Sequence, residues 1–505
     1  MFRLLTNKVN SLFFDVNHIL SHTVDILWYN ITARNLSARG AYMTMNKRKY
    51  IEQQLEMVTI DMLVPENHFV RKLDACIDWA FIYDLVKDKY SDLGRKSVDP
   101  VILFKIVFWN IINGYNSIRR TCASLETDMA GRWFLGIGIF DPIPNYSDWS
   151  KNYQRRFQGT DICNQIFQHI LKQMDEAGLL DLSAVYIDST HQKANANKHK
   201  KRKIQIKVQA KKYQEALTEE INREREKHDQ KPLKEVVPTE LEFDEKTREE
   251  KEVSVRKTKT VTVSTTDPDC GVFNKGDHET SMAYLHHTIC DNNGVVLTVK
   301  TFPANLHDST TMAETLDTLP ELAAGRVEAI ALDAGYKTAA AAKELEDRGL
   351  KGFMPYKRPM GKKGLFQKKE FIYNSEQDFY ICPAEHELHY STTNRNGYKE
   401  YKSNPNICKD CPLREMCTKS KNTTKVVTRH VWQDSLDKIE ARRNGVEWKQ
   451  IYTRRKETIE RVFAENKEHH NLRFTRQKGL EKNQDQILLI FACHNLMKLA
   501  RWRTA

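Results

Sequence analysis

Asp188 interrupts the apolar run "AVYIDS", and Asp333 closes another, "VEAIALDAGY". An ionised carboxylate among apolar side chains is costly unless it is paired, hydrogen-bonded or bound to a metal. Both runs read as strands, and neighbouring strands would bring the two acids to one place on a sheet. Carboxylate oxygens are hard ligands that suit magnesium or manganese, ions that also bridge to phosphate oxygens. Two such ions, about 4 Å apart, call for a third carboxylate. In the stretch 452–473, Ile459, Val462 and Phe463 mark the apolar stripe of a helix and Glu460 borders it. Lys467 follows two helical turns later on the same side, placed to hold a phosphate or a base. Glu457, about one turn before Glu460, is the rival. Read alone, these charges also fit an ordinary solvated helix face.

A second constellation is made of sulfur. Of the ten cysteines, Cys76, Cys122, Cys163, Cys270, Cys290 and Cys493 stand singly and read as core thiols of a reducing compartment. Cys408-x2-Cys411 is followed by Cys417 and preceded by Cys382. That spacing fits a structural zinc site, with His386 and His389 as substitute ligands. An iron–sulfur cluster or four unmetallated thiols are the alternatives.

The elements that must position these groups fall into two patterns. Residues 45–160 read as helical. "SVDPVILFKIVFWNIING" has Asp99 as cap, Pro100 at the first helical position and an apolar circumference, so it should be buried. "NSIRRTCASLETDMAGRWFLG" reads as a second helix and "SDWSKNYQRRF" as a third, capped by Ser147. Their exposed pairs, Arg119 with Arg120 and Arg155 with Arg156, suit DNA binding or a plain solvated face. From 180 onward strands and helices alternate. "DNNG" predicts a hairpin between "AYLHHTIC" and "GVVLTVKTFP". Thr311 and Glu314 are spaced as a capping box, and Gly349 ends the helix "TAAAAKELEDRG". This order predicts a mixed α/β sheet covered by helices. Two insertions interrupt it: a charged one at 198–260, expected as an exposed helix or hairpin arm, and a cysteine-bearing one at 360–445. The chain closes with a buried helix, "QILLIFACHNLMKLARW".

Taken together, these blocks resemble the DDE transposases encoded by bacterial insertion sequences, over roughly residues 45–505. "YIDST" resembles the block around the first aspartate and "ALDAGY" the second. "YTRRKETIERVFAENK" resembles the tyrosine–arginine–glutamate–lysine signature. The usual spacing would put the tyrosine at Thr453 and the arginine at Lys456; here Tyr452 and Arg455 stand one place earlier. The resemblance implies a ribonuclease-H-like catalytic domain over 180–505, a DNA-binding helical domain over 45–160, and an N-terminal extension over 1–44. It makes Asp188, Asp333, Glu460 and Lys467 catalytic, the three acids holding two Mg2+ (or Mn2+) ions. Water or a DNA 3′-hydroxyl would then attack a phosphodiester in line. Arg455 and the tract Lys200, Lys201, Arg202, Lys203 are expected on the DNA backbone, though the tract also reads as a solvated arm. The partners implied are double-stranded DNA, as terminal inverted repeats and target, and further copies of the chain. A hydrolytic nuclease of the same fold and a non-catalytic DNA-binding relic are the alternatives; the intact acids argue against the relic.

The bulk composition agrees with a polyanionic partner. The chain of 505 residues carries a formal net charge of +12, with 40% apolar and 29% charged residues, enough to fold and basic enough to attract nucleic acid. No run reaches the roughly 18 apolar residues of a membrane span. The opening "SLFFDVNHILSHTVDILWYNI" is broken by Asp15, His18, His22 and Asp25, unlike a secretory signal. A cytoplasmic, nucleoid-associated location is the expectation.

Overall fold

The computed structural model describes residues 57–503, apart from 92, 95, 210–211, 234–238, 245–248, 276–278, 307 and 358–363. The expected extension at 1–44 lies outside the described residues. Residues 59–505 form one compact unit.

The helical part comprises α1 (Ile60–Leu63), α2 (Phe69–Asp74), α3 (Phe81–Val86), α4 (Pro100–Ile112), α5 (Ile118–Leu125), α6 (Met129–Leu135), α7 (Tyr146–Asn152) and α8 (Ile162–Glu176). Asp99 caps α4 by accepting from Val101 N at 2.7 Å, and the helix is buried nearly all round, as its apolar circumference requires. Its one lysine, Lys105, reaches Asp74 and the Phe134 carbonyl, both at 2.8 Å. Two expectations are corrected here. The second helix is two, because Asp128 accepts from Gly131 N and starts α6. The cap of α7 is Asn145, in a capping box with Asp148, rather than Ser147.

The sheet part begins with β1 (Ala184–Lys193). The charged insertion follows as β2 (Lys201–Gln209), α9 (Lys212–Lys227), β3 (Thr239–Asp244) and β4 (Glu249–Ser264), with strand order β2-β4-β3. The chain re-enters the main sheet with β5 (Gly271–Lys275), β6 (Glu279–Cys290) and β7 (Val296–Pro303). It continues through α10 (Asp308–Leu316), β8 (Ala329–Ala331), α11 (Ala339–Asp347) and β9 (Lys351–Phe353). The order is β5-β6-β1-β8-β9, with β7 also on β6. β1 runs antiparallel to β6 and parallel to β8, and β9 is parallel to β8. The sheet is therefore mixed. The predicted hairpin is present: Asp291 Oδ1 accepts from Asn293 N and Val295 N, and Gly294 turns the chain at φ +71°. The capping box at Thr311 is not. Thr311 lies inside α10, buried, with its hydroxyl 2.9 Å from His287 Nε2, and Glu314 pairs with Lys300.

The cysteine-bearing insertion is a meander of β10 (Ile372–Asn374), β11 (Phe379–Ile381), β12 (Glu387–Thr393), β13 (Tyr398–Ser403) and β14 (Val426–His430). Between its last two strands lie α12 (Pro405–Lys409) and α13 (Arg414–Cys417). It has its own small core of Phe371, Tyr380, Leu388, Tyr401 and Val427. The expected exposed arm proves anchored: Leu217 and Ile221 of α9 are buried with Trp432, and Arg225 donates to Thr392 Oγ1 and the Thr393 carbonyl. One insertion thus packs on the other. The chain closes with α14 (Gln433–Arg442), α15 (Val446–Arg454), α16 (Ile459–His469) and α17 (Leu480–Trp502). α17 packs on α8, α2, α4 and β7, so helices and sheet share one hydrophobic core.

Candidate active site

Asp188 and Asp333 are placed by strand register. Tyr186 of β1 faces Ala331 of β8 in the parallel pairing, and each aspartate lies two positions further along its own chain. Side chains two apart share a face of the sheet, so the acids leave adjacent strands at the same end. Beyond β8 the backbone turns, and Asp333 Oδ1 accepts from Gly335 N at 2.6 Å, fixing the carboxyl at the strand mouth. Asp188 Oδ1 accepts from Ser189 N at 2.8 Å.

Glu460 comes to this place by way of a break in a helix. The single helix expected at 452–473 is instead α15 and α16, separated by a turn over 455–458 with Thr458 at φ −103°, ψ −92°. Arg455 swings inward and is only 9% exposed. Its Nη2 donates to Asp188 Oδ2 at 2.5 Å and its Nη1 to Glu460 Oε1 at 2.8 Å. One guanidinium thus joins the first strand acid to the helix acid. Arg455 Nε is buried with no hydrogen-bond partner among the described residues. Glu457, the rival, is exposed and makes no such link. Tyr452, stacked on Trp448 at 4.7 Å, reports on all three acids. Burial raises its hydroxyl pKa; Arg455 opposes the rise, and Asp333, Glu460 and Asp188 add to it. Among the described residues, no three His, Cys, Asp or Glu side chains are grouped as a ready-made metal site. Between Asp188 and Glu460 stands the guanidinium of Arg455.

A transposase DDE domain model matches residues 381–500, and a transposase domain model of the DUF772 type matches residues 58–155. No curated protein and no solved structure matches the chain. The two matches support a DDE transposase of an insertion-sequence family. The DDE match takes in Glu460, Lys467 and the four clustered cysteines, while Asp188 and Asp333 fall before it. Asp188 and Asp333 are brought together by strand register, and Asp188 alone is also joined to Glu460 through Arg455.

Within the transposase DDE match, the cysteines come together. Cys382, Cys408, Cys411 and Cys417 line one pocket with His386, closed by Leu388, Leu413 and Phe366. All four are free thiols. Cys382 Sγ accepts from His386 N at 3.4 Å, and Cys408 Sγ donates to Ser403 Oγ at 3.1 Å. Burial raises the Cys417 pKa; Lys425 opposes, and the sulfurs of Cys408, Cys382 and Cys411 add to the rise. His389, the other substitute ligand, lies outside this lining and pairs with Glu387 at 3.2 Å.

The expected DNA contacts divide. Lys200, Lys201, Arg202 and Lys203 are exposed at the start of β2, and Arg155 is exposed on the turn after α7. Arg119 stacks on Tyr146 at 4.2 Å, and Arg120 lies 5.8 Å from the Tyr115 ring. Arg156 is instead folded onto the Tyr90 ring at 4.4 Å and donates to Asn152. Arg455, expected on the DNA backbone, is buried between the acids. The one signal for this was its position, five residues before Glu460 and off the helix's usual spacing.

Proposed function

We propose that this chain is a DNA transposase that cleaves and joins the ends of its own element, with Asp188, Asp333 and Glu460 as the carboxylates of a divalent-cation site. The observation that carries the reading is Arg455 bridging Asp188 and Glu460 beside the mouth of β8, where Asp333 stands. A cluster of acids that retains a buried guanidinium is a place built for positive charge, so the donor set fits Mg2+ or Mn2+. Asp188, Asp333 and Glu460 would hold such ions, whose chemistry when bound would be Lewis-acid assistance to phosphodiester attack.

The chain's own residues supply the rest. The turn at Asp333 and the Ser189 amide hold two carboxylates in fixed orientations. α16 carries Glu460 at its start and Lys467 two turns on, so a phosphate beside the acids meets a cation further along the same helix. Tyr452, half-buried and stacked on Trp448, feels the charge of all three acids. The mixed sheet with its flanking helices supports the ribonuclease-H-like reading of this domain. The helical part is the proposed holder of inverted repeats, and synapsis of two ends makes a homo-oligomer on DNA, at the nucleoid, the working form. The four thiols fit a structural zinc that would tie α12 and α13 to the end of β11.

The test is a strand-transfer assay with labelled element ends, Mg2+ and target DNA. Joined product is expected. Nicked ends without joined product would indicate a hydrolytic nuclease, and bound but uncut DNA a relic.

A further inference from the structure

Beyond the acids, a groove of about 730 Å³, open to solvent, runs between the helical part and the end of α16. One wall is Asn116, Ser117, Arg119 and Tyr146; the other includes Lys467, Arg473, Phe474, Arg476 and Lys482. Two acids line it. Glu468 is paired with Arg473, and Asp485 accepts from the Tyr153 hydroxyl at 2.6 Å. Arg476, Lys482 and Arg119 leave the groove positive. Tyr146 carries Arg119 on one face of its ring, and Phe474 is 48% exposed.

Phe474 is not at a loose loop tip. Arg473 O accepts from Lys193 N at 3.0 Å, and Thr475 N donates to Lys193 O at 2.9 Å, so the segment extends β1 as a parallel partner. Thr475 Oγ1 is further bonded to Gln486 Oε1 at 2.6 Å. An aromatic ring held rigidly and exposed among cations is the arrangement that stacks an unpaired base while its neighbours track the backbone. The same strand fixes the separation. Lys193 is five residues beyond Asp188, roughly 17 Å along β1.

We infer that this groove binds a single DNA strand leaving the carboxylate site, with one unpaired base stacked on Phe474 and its phosphates on Arg476 and Lys482. The inference rests on the transposase reading and extends it to a binding surface and a strand geometry.

The test compares two random-sequence probes by fluorescence anisotropy: a blunt 30-base-pair duplex, and the same duplex with a ten-nucleotide single-stranded tail. The full chain is expected to prefer the tailed probe by about tenfold, Phe474→Ala to lose the preference, and Phe474→Trp to keep it. Arg476→Ala with Lys482→Ala should lower the salt dependence of tailed-probe binding by about 1.4 in the logarithmic slope, two single-strand phosphate contacts. Lys172→Gln with Lys343→Gln, on exposed faces elsewhere, should leave the slope unchanged. Equal binding of both probes by the parent, or an unchanged slope in the double variant, overturns the groove while leaving the transposase reading intact. No DNA binding by the parent at low salt overturns both.

Discussion

The two clusters that could hold metal differ in what balances their charge. Asp188 and Glu460 are joined by a guanidinium from their own chain through direct ion pairs, whereas the four thiols of the insertion line a pocket whose cations, Arg414 and Lys425, donate to backbone carbonyls. The reason is acid strength. Carboxylates stay ionised near neutral pH, so a fold that gathers them must supply a positive group. Thiols can remain protonated and neutral, and burial favours that form at Cys417, so their pocket needs no ion pair to each sulfur. The consequences run in opposite directions. A cation entering the carboxylate site must displace Arg455; one entering the thiol pocket must displace protons.

The sharpest break would come from the acids themselves. Asp188→Asn, Asp333→Asn and Glu460→Gln are each expected to reduce end cleavage by about a thousandfold or more, the several kcal/mol that a metal ligand supplies. DNA affinity should stay within about twofold of the parent's by anisotropy. Undiminished cleavage by Asp333→Asn would remove that residue from the set.

Arg455→Met tests the countercharge directly. It removes the cation between Asp188 and Glu460, and urea unfolding should show a loss of about 3 kcal/mol, most of it from the part-buried Asp188 arm because Glu460 is half exposed. Millimolar Mg2+ should restore part of that loss in the variant and do less for the parent. Equal stability of the two proteins without the ion would end the contrast. On the thiol side, Cys408→Ser with Cys411→Ser should take bound zinc from about one per chain to none by elemental analysis. A parent protein purified without zinc would show that the pocket is only a cluster of thiols.

Asp485 offers the smallest and most controlled comparison, an acid with a neutral partner. Burial raises its pKa to about 6, although the Tyr153 hydroxyl bond opposes the rise. Because the folded value lies above the unfolded one, the folded state favours the protonated form. The stabilising contribution is complete below about pH 4 and is lost as pH rises through 6. Asp485→Asn keeps an acceptor for Tyr153. It should raise stability at pH 7 by at most roughly 3 kcal/mol and flatten the stability slope between pH 4 and 6.

Much of the framework was legible because it is written locally. Asp99–Pro100 starting α4, the Asp291–Gly294 turn and the apolar length of α17 all express preferences of a few neighbouring residues. The misreadings have a common cause. Thr311 matches a capping box, but the helix begins earlier and His287 from β6 takes its hydroxyl. The segment 452–473 has continuous helical spacing, yet Arg455 is drawn to Asp188, 267 residues earlier in the chain, and the helix breaks there. The charged insertion is polar enough to suggest an isolated arm, but two apolar residues of α9 find Trp432 in the other insertion.

From residue types and spacing alone came the apolar runs that carry Asp188 and Asp333, the helix that carries Glu460 and Lys467, the cysteine cluster and the positive charge. These follow from short-range chemistry, in which each side chain's partners lie within a few positions. Only the folded chain decided that one arginine would stand between two of the acids, that four thiols would share a pocket, and that Phe474 would be clamped beside β1. Each of those depends on contacts between distant segments, whose free energy comes from desolvation and packing that no local pattern encodes.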